Sequence, residues 1–158
     1  MWDNSDNNIV KVLLIYLYTG MRRNELFNVK LSNIHLEDRY LIGGLKTKAG
    51  TNRIIPIHKR INPFICSFVN ESKEYLLDNN YINYSNVYRN ILNVNSMLHL
   101  NTHTIHDSRK TFITRLNDYG ANITDIAKIV GHATGIITID TYTIKAKEQL
   151  IKTVDLLP

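Results

Sequence analysis

Apolar residues crowd the first part of the chain. Ile9, Val10, Val12, Leu13, Leu14, Ile15 and Leu17 predict a helix that is apolar nearly all round, and such a helix belongs inside a fold. Ser5 and Asp6 are its expected caps, and Thr19-Gly20 ends it. Arg22 to Val29 reads as a short second helix. Ile34 to Ile42 looks like a hairpin around Glu37-Asp38-Arg39, Lys46 to Asn52 like a polar loop, and Arg53 to Ile57 like a strand stopped by Pro56 and His58. Three short strands therefore cluster between residues 33 and 58, and the rest is mostly helical. Residues 60 to 78 and 85 to 98 have helix-like spacing with Asn-rich breaks. Thr104 to Tyr119 is a helix capped by Thr104 and closed by Gly120. Asn122 to Val130 is another, with Ile123, Ile126, Ala127 and Val130 on one face and Gly131 after it. Gly135 to Thr143 and Lys145 to Leu156 complete the chain. The expected fold class is mainly α (α+β), with one small three-stranded antiparallel sheet. Leu13, Leu14, Leu17, Leu26, Ile55, Phe112, Leu116, Ile126 and Val130 are the expected core.

Length and composition fit one globular domain: 158 residues, 44% hydrophobic and 21% charged. The net charge of +5 raises the odds of a polyanionic partner, chiefly nucleic acid, without proving one. Cys66 is the only cysteine, so no intrachain disulfide can form, and a reducing cytoplasm is the expected home. Asp3 and Asp6, with no basic segment, argue against a signal peptide. The apolar run from Ile9 to Tyr18 is too short for a membrane span and is interrupted by Lys11.

Three separated patches can carry chemistry. In Thr19-Gly20-Met21-Arg22-Arg23-Asn24-Glu25-Leu26, a glycine ends a buried helix and an arginine follows in the connection. Glu25 lies three residues after Arg22, so its carboxylate can hold that guanidinium for a two-bonded grip on phosphate. The plainer alternative is a surface ion pair of little worth. In His106-Asp107-Ser108-Arg109, the first and last residues share a helix face. Arg109 lies at the edge of the stripe Ile105, Phe112, Ile113 and Leu116, at least half buried, where a cation needs an anion. Asp107 or Glu25 could satisfy it internally. The third patch is Gly131-His132, with Tyr142 ten residues later.

Taken in order, TGMRRNEL, KTKAGTNRIIPI, HDSRKTF and GHATGIITIDTY resemble the tyrosine recombinase and phage integrase family. Its marks are an Arg after a Thr-Gly turn, a Lys in a β-hairpin, His-x-x-Arg, a Gly-His pair and a Tyr nine or ten residues beyond. All five occur in order over residues 19 to 142. The resemblance implies that Arg22 is the first catalytic arginine, with Glu25 as its acidic buttress, and Arg109 the second. It makes His106 and His132 the two histidines and Tyr142 the nucleophile. The family's lysine precedes the strand-ending proline by eight residues, which selects Lys48 over Lys46 and leaves Lys46 as a phosphate-contacting neighbour.

The implied reaction is a phosphodiester transesterification through a 3′-phosphotyrosyl link, with no cofactor and no metal. Tyr142 attacks phosphorus, two arginines stabilise the charge that builds on the phosphate oxygens, and Lys48 protonates the leaving 5′-oxygen. His132 donates to a non-bridging oxygen. His106 moves the tyrosine proton or holds the phosphate. His99, His103 and His106 are spaced to converge on one helical face as a metal site would need, but Asn101 and Thr102 suggest a helix break between them and argue against it. Arg23, Lys30, Lys46, Arg53, Lys110 and Arg115 are the expected DNA-phosphate contacts. Family members carry an N-terminal DNA-clamping domain and another helix before the first arginine. Both are expected to be absent, leaving 1–158 as the catalytic domain. The resemblance also implies a homotetramer on double-stranded DNA at a specific crossover site, joined through the C-terminal segment with Leu150, Ile151, Val154 and Leu157 as its sticky face. Competing expectations are a type IB topoisomerase-like or telomere-resolving enzyme, and a catalytically silent DNA-binding module.

Overall fold

The computed structural model describes residues 1–44, 52–78, 87, 89–90, 93–94, 96, 103–132 and 144–158. Its first long element, α1 (Asn8–Thr19), is capped by Asn7, whose side chain accepts from the Ile9 amide. Ser5 and Asp6 therefore lie before the cap. Gly20 closes α1 in the left-handed conformation, with φ at 62°. The helix is sunk in the protein: Val10, Val12, Leu14, Ile15, Tyr16 and Tyr18 are buried, whereas Leu17 is only partly so. The two tyrosines take the interior positions because each hydroxyl finds a carbonyl, Tyr16 on Arg23 and Tyr18 on Pro158.

Helix α2 (Arg23–Phe27) is one residue shorter at its start than expected, because Arg22 is its N-cap, and it ends before Val29. The sheet has the three short antiparallel strands expected between residues 33 and 58. Strands β1 (Ile34–His35), β2 (Tyr40–Gly43) and β3 (Arg53–Pro56) pair antiparallel in that order, with Leu41 opposite Ile55 and Gly43 opposite Arg53. Arg39 makes the β1–β2 turn with a φ of 52°. Pro56 is the last residue of β3, opposite Tyr40, so the strand includes it and stops one residue before Ile57. Residues 45–51, with Lys46 and Lys48 and most of the expected polar loop, lie outside the described residues.

Helix α3 (Asn62–Glu71) follows, shorter than the run from 60 to 78. Beyond it, Asp78 gathers the amides of Lys73, Glu74 and Tyr75 into a turn. Most of the helix expected over 85–98 lies outside the described residues. Helix α4 (Ile105–Asp118) starts at a capping box in which the Asp107 carboxylate accepts from the Thr104 amide, and Gly120 follows it with φ at 76°. Helix α5 (Ile123–Val130) is capped by Asn122 and closed by Gly131. Helix α6 (Ile144–Val154) ends the fold, and the segment expected over 135–143 lies outside the described residues.

The core lies where α1 packs on α4 and where α5 and α6 cover β3. Asp125, buried in the first turn of α5, accepts from Gln149 and Thr153 and so fastens α6 to α5. The C-terminal segment lies on its own domain. Leu150, Val154 and Leu157 are buried, and Ile151 is partly exposed. Asp155 takes both terminal nitrogens of Arg39, and buried His58 holds the Leu157 carbonyl. No helix among the described residues is long and apolar enough to cross a membrane.

Candidate functional site

The C-terminal end of α5 is the centre around which the candidate residues gather. Gly131 turns the chain with φ at 68°, the Gly131 amide donates to the Lys128 carbonyl, and the His132 amide donates to that of Ala127 at 3.0 Å. This pair of bonds closes the helix and leaves the carbonyls of residues 129, 130 and 131 to find other donors. Each finds a different arginine. Arg53 donates through Nε to the Ile129 carbonyl at 2.6 Å, Arg109 through one terminal nitrogen to that of Val130, and Arg22 reaches that of Gly131 at 3.5 Å. The negative end of a helix dipole favours cations, so three arginines from three separate elements meet on one helix end.

Arg22 stands at the cap of α2 because Glu25 holds it there. One Glu25 oxygen accepts from the Arg22 amide at 2.7 Å and the other from its side chain at 2.9 Å. Arg22 is about one-third exposed while Glu25 is buried, so the guanidinium opens outward from a carboxylate sealed beneath it. Arg109 is 4% exposed on the inner side of α4, and its second donor is spent on the Gly20 carbonyl at 2.6 Å. Neither internal carboxylate pairs with it. Asp107 caps its own helix and faces Lys110, and Glu25 is bonded to Arg22 and Arg53. Burial, then the charges of Arg22 and Arg53, bring the Arg109 pKa down to about 10, partly offset by Glu25. It still carries its charge at neutral pH.

Arg53 is the main correction to the sequence expectation. It was expected among surface contacts to DNA phosphate, yet it is 4% exposed and grips both oxygens of Glu25, at 2.7 and 3.1 Å. A guanidinium so enclosed is not a surface contact. The signal was present in the chain: Arg53 lies two positions before fully buried Ile55, on the same strand face. Glu25 carries the complementary shift. Burial opposes its ionisation, but hydrogen bonds and charge from Arg53, then hydrogen bonds from Arg22, outweigh this and hold its pKa at about 2.

His132 leaves this helix end exposed to solvent. Its pKa is lowered by partial burial and then by the charges of Arg109, Arg22 and Arg53, so it shares the electrostatic field of all three. His106 is exposed in the first turn of α4, one turn before buried Arg109. Lys48, Lys46 and Tyr142 lie outside the described residues. Three guanidinium groups thus gather at one helix end with a single carboxylate, which is bonded to two of them, so among the described residues the cluster keeps two positive charges in excess. Such an arrangement can bind a compact dianion or stabilise one as it forms.

The other expected DNA contacts are spread over the surface. Arg23 is exposed, Lys30 lies over the Tyr75 ring with Glu74 at 3.9 Å, and Lys110 is exposed near Asp107. Arg115 sits over the Tyr18 ring, 5.5 Å from its centroid. Among the described residues, no cluster of three or more His, Cys, Asp or Glu could hold a metal ion.

Comparison with known proteins gives a consistent answer. Residues 3–149 match the family model described as the phage integrase family. The chain is 30% identical over 151 residues to the tyrosine recombinase XerA of Pyrococcus horikoshii, covering 88% of this chain and 51% of that protein. It is 25% identical to tyrosine recombinase XerD of Staphylococcus saprophyticus, covering 90% of this chain and 52% of that one. It therefore spans about half the length of the curated relatives it matches. Among solved structures, the integrase from mycobacterium phage Brujita superposes with a TM-score of 0.74 at 14% identity, covering 96% of this chain and 52% of that one. The XerA recombinase crystal structure gives 0.70 at 23% identity, covering 94% and 58%.

Proposed function

Because the chain belongs to the phage integrase family, we propose that its protein is a site-specific tyrosine recombinase whose catalytic domain is residues 1–158, cutting and rejoining DNA through Tyr142. The observation that carries this reading is the surplus of positive charge on the end of α5. Arg22 and Arg109 come from elements far apart in the chain, both bond to the same helix end, and His132 follows directly.

The chemistry follows from charge. A phosphodiester carries one negative charge, and attack by an oxygen nucleophile raises this toward two in the transition state. The excess of the pocket matches that developing charge better than the ground state, which is the condition for acceleration rather than mere binding. On this reading Arg22, open to solvent on its Glu25 base, takes the non-bridging oxygens with Arg109 behind it. His132, its pKa lowered by burial and then by its cationic neighbours, donates one further hydrogen bond. Tyr142 supplies the phenol, whose ordinary pKa near 10 makes it a weak nucleophile unless nearby cations favour its ionised form. Lys48 protonates the departing 5′-oxygen, and His106 assists the tyrosine proton or the phosphate. The bond formed, a 3′-phosphotyrosine, replaces the one broken, so a DNA 5′-hydroxyl can reverse the step. This chemistry calls on no metal and no cofactor.

The partner is double-stranded DNA. The transposon Tn1549 integrase, whose fold this chain shares at a TM-score of 0.65 and 20% identity, was solved in complex with transposon right end DNA. Arg23, Lys30, Lys46, Lys110 and Arg115 are the proposed phosphate contacts outside the pocket. We read the working unit as four copies on a specific crossover site, in the host cytoplasm. Assembly through the C-terminal segment then requires it to leave its berth on Arg39 and His58.

The test is direct. The full-length protein is offered nicked DNA bearing its crossover site, then denatured. A covalent protein–DNA adduct is expected, and Tyr142→Phe should abolish it. An adduct that persists in the variant assigns the nucleophile elsewhere, and a DNA-bound wild type that never forms one makes the protein a silent binding module. Relaxation of plasmid lacking any specific site would instead mark a topoisomerase.

A further inference from the structure

We propose that Arg53 is a positioning residue for cleavage, one that holds the first arginine of the pocket in place and keeps its charge available. The inference rests on the recombinase reading above and adds a residue with no assigned part in it. Arg53 begins β3 and is buried, out of reach of DNA. Among the described residues, its side chain bonds to the carboxylate that orients Arg22 and to the helix end that His132 follows. It reaches both oxygens of Glu25 and the Ile129 carbonyl. Glu25 orients Arg22, and the carbonyl lies three residues before His132.

The sharing at Glu25 is the physical core of the argument. Oε1 accepts from Arg22 at 2.9 Å and Arg53 at 3.1 Å, while Oε2 accepts from the Arg22 amide and Arg53, both at 2.7 Å. A carboxylate facing Arg22 alone is free to swing into a two-bonded pair with it, which would neutralise the charge the phosphate needs. With Arg53 bonded to both oxygens as well, the carboxylate is held against turning, and its single negative charge is divided between two cations. Stability alone is a poor reason for this arrangement, since buried ion pairs are often matched or bettered by apolar groups of the same size. Arg53 therefore acts through Arg22 without touching the DNA.

The test compares two matched substrates in the full-length protein, one with an ordinary phosphate at the cleavage position and one with a neutral methylphosphonate. The second lacks the charge that Arg22 neutralises. Arg53→Met and Arg53→Lys are measured, the lysine keeping a cation for Glu25 should the methionine fail to fold. Each folded variant should cleave phosphate about 10- to 100-fold more slowly in a single turnover, with DNA affinity unchanged. On methylphosphonate the deficit should largely vanish. A purely structural role predicts equal losses on both substrates, and that result, or wild-type rates on both, overturns the proposal. Arg22→Ala serves as the control. If it also loses equally on both substrates, the phosphate pocket itself is misassigned and this inference falls with it. If it discriminates and Arg53 does not, only Arg53 is wrong.

Discussion

Glu25 shows how much a single side chain can organise. Its carboxyl is buried, bonded to two arginines and to a backbone amide, and held at a pKa of about 2 against an ordinary 4.5. A folded-state pKa below the unfolded one means that the stabilisation is complete above pH 4.5 and is lost as pH falls toward 2. The gap corresponds to on the order of 3 kcal/mol. Urea unfolding measured across that window should show a steeper loss in the wild type than in Glu25→Gln. Equal slopes would mean that the carboxylate is not held by the arginines as described. Much of this was visible in the chain. The three-residue spacing of Arg22 and Glu25 predicts their pairing, and His-x-x-Arg puts Arg109 at the edge of an apolar stripe. The partner of Arg53 was not visible, because Glu25 lies 28 residues away and only the fold brings them together.

Helix ends place the pocket residues. Gly20 ends α1 with a positive φ, which costs an L-residue about 1–2 kcal/mol, and its carbonyl holds Arg109. A methyl group there would also run into the ring of fully buried Phe112 on α4. Gly20→Ala should therefore destabilise the protein by about 2–4 kcal/mol in urea titration, combining strain with overpacking. A loss under about 1 kcal/mol would mean that Phe112 yields easily. The sequence marked this terminus and that of α5 correctly, since glycine after an apolar period is a local signal. It misplaced the start of α1, where Ser5, Asp6 and Asn7 are all competent caps and the choice depends on where the apolar face must begin.

The whole molecule is closed by its last residues. Tyr18 donates to the Pro158 carbonyl, Arg39 pairs with Asp155, and His58 sits fully buried against Leu157. The Arg60 amide donates to Nδ1 of His58, so Nε2 carries the proton given to the Leu157 carbonyl. Burial lowers the His58 pKa, and Lys59 and Arg39 add to this, against Asp155 and the Leu157 carbonyl. A lowered histidine pKa means that the neutral ring stabilises the fold at pH values above its unfolded 6.5. That contribution is lost as pH falls through the lowered value. Hydrogen exchange at the amides of 155–157, corrected for intrinsic rate, should accelerate on acidification below pH 6.5. Protection that stays constant to pH 5 would show that His58 does not hold the tail.

The apolar rows, the glycines after them and the order of the polar motifs are local properties, and they sufficed for the helices that begin at Asn8, Ile105 and Ile123, the three-stranded sheet and the family. Which arginine faces solvent and which is enclosed was decided by packing. Beside the Glu25 carboxylate, the acceptors that bring Arg22, Arg53 and Arg109 to one place are main-chain carbonyls, present at every position and therefore silent in the sequence. They become specific only when a helix terminates and leaves three of them without amide partners in front of converging strands and helices.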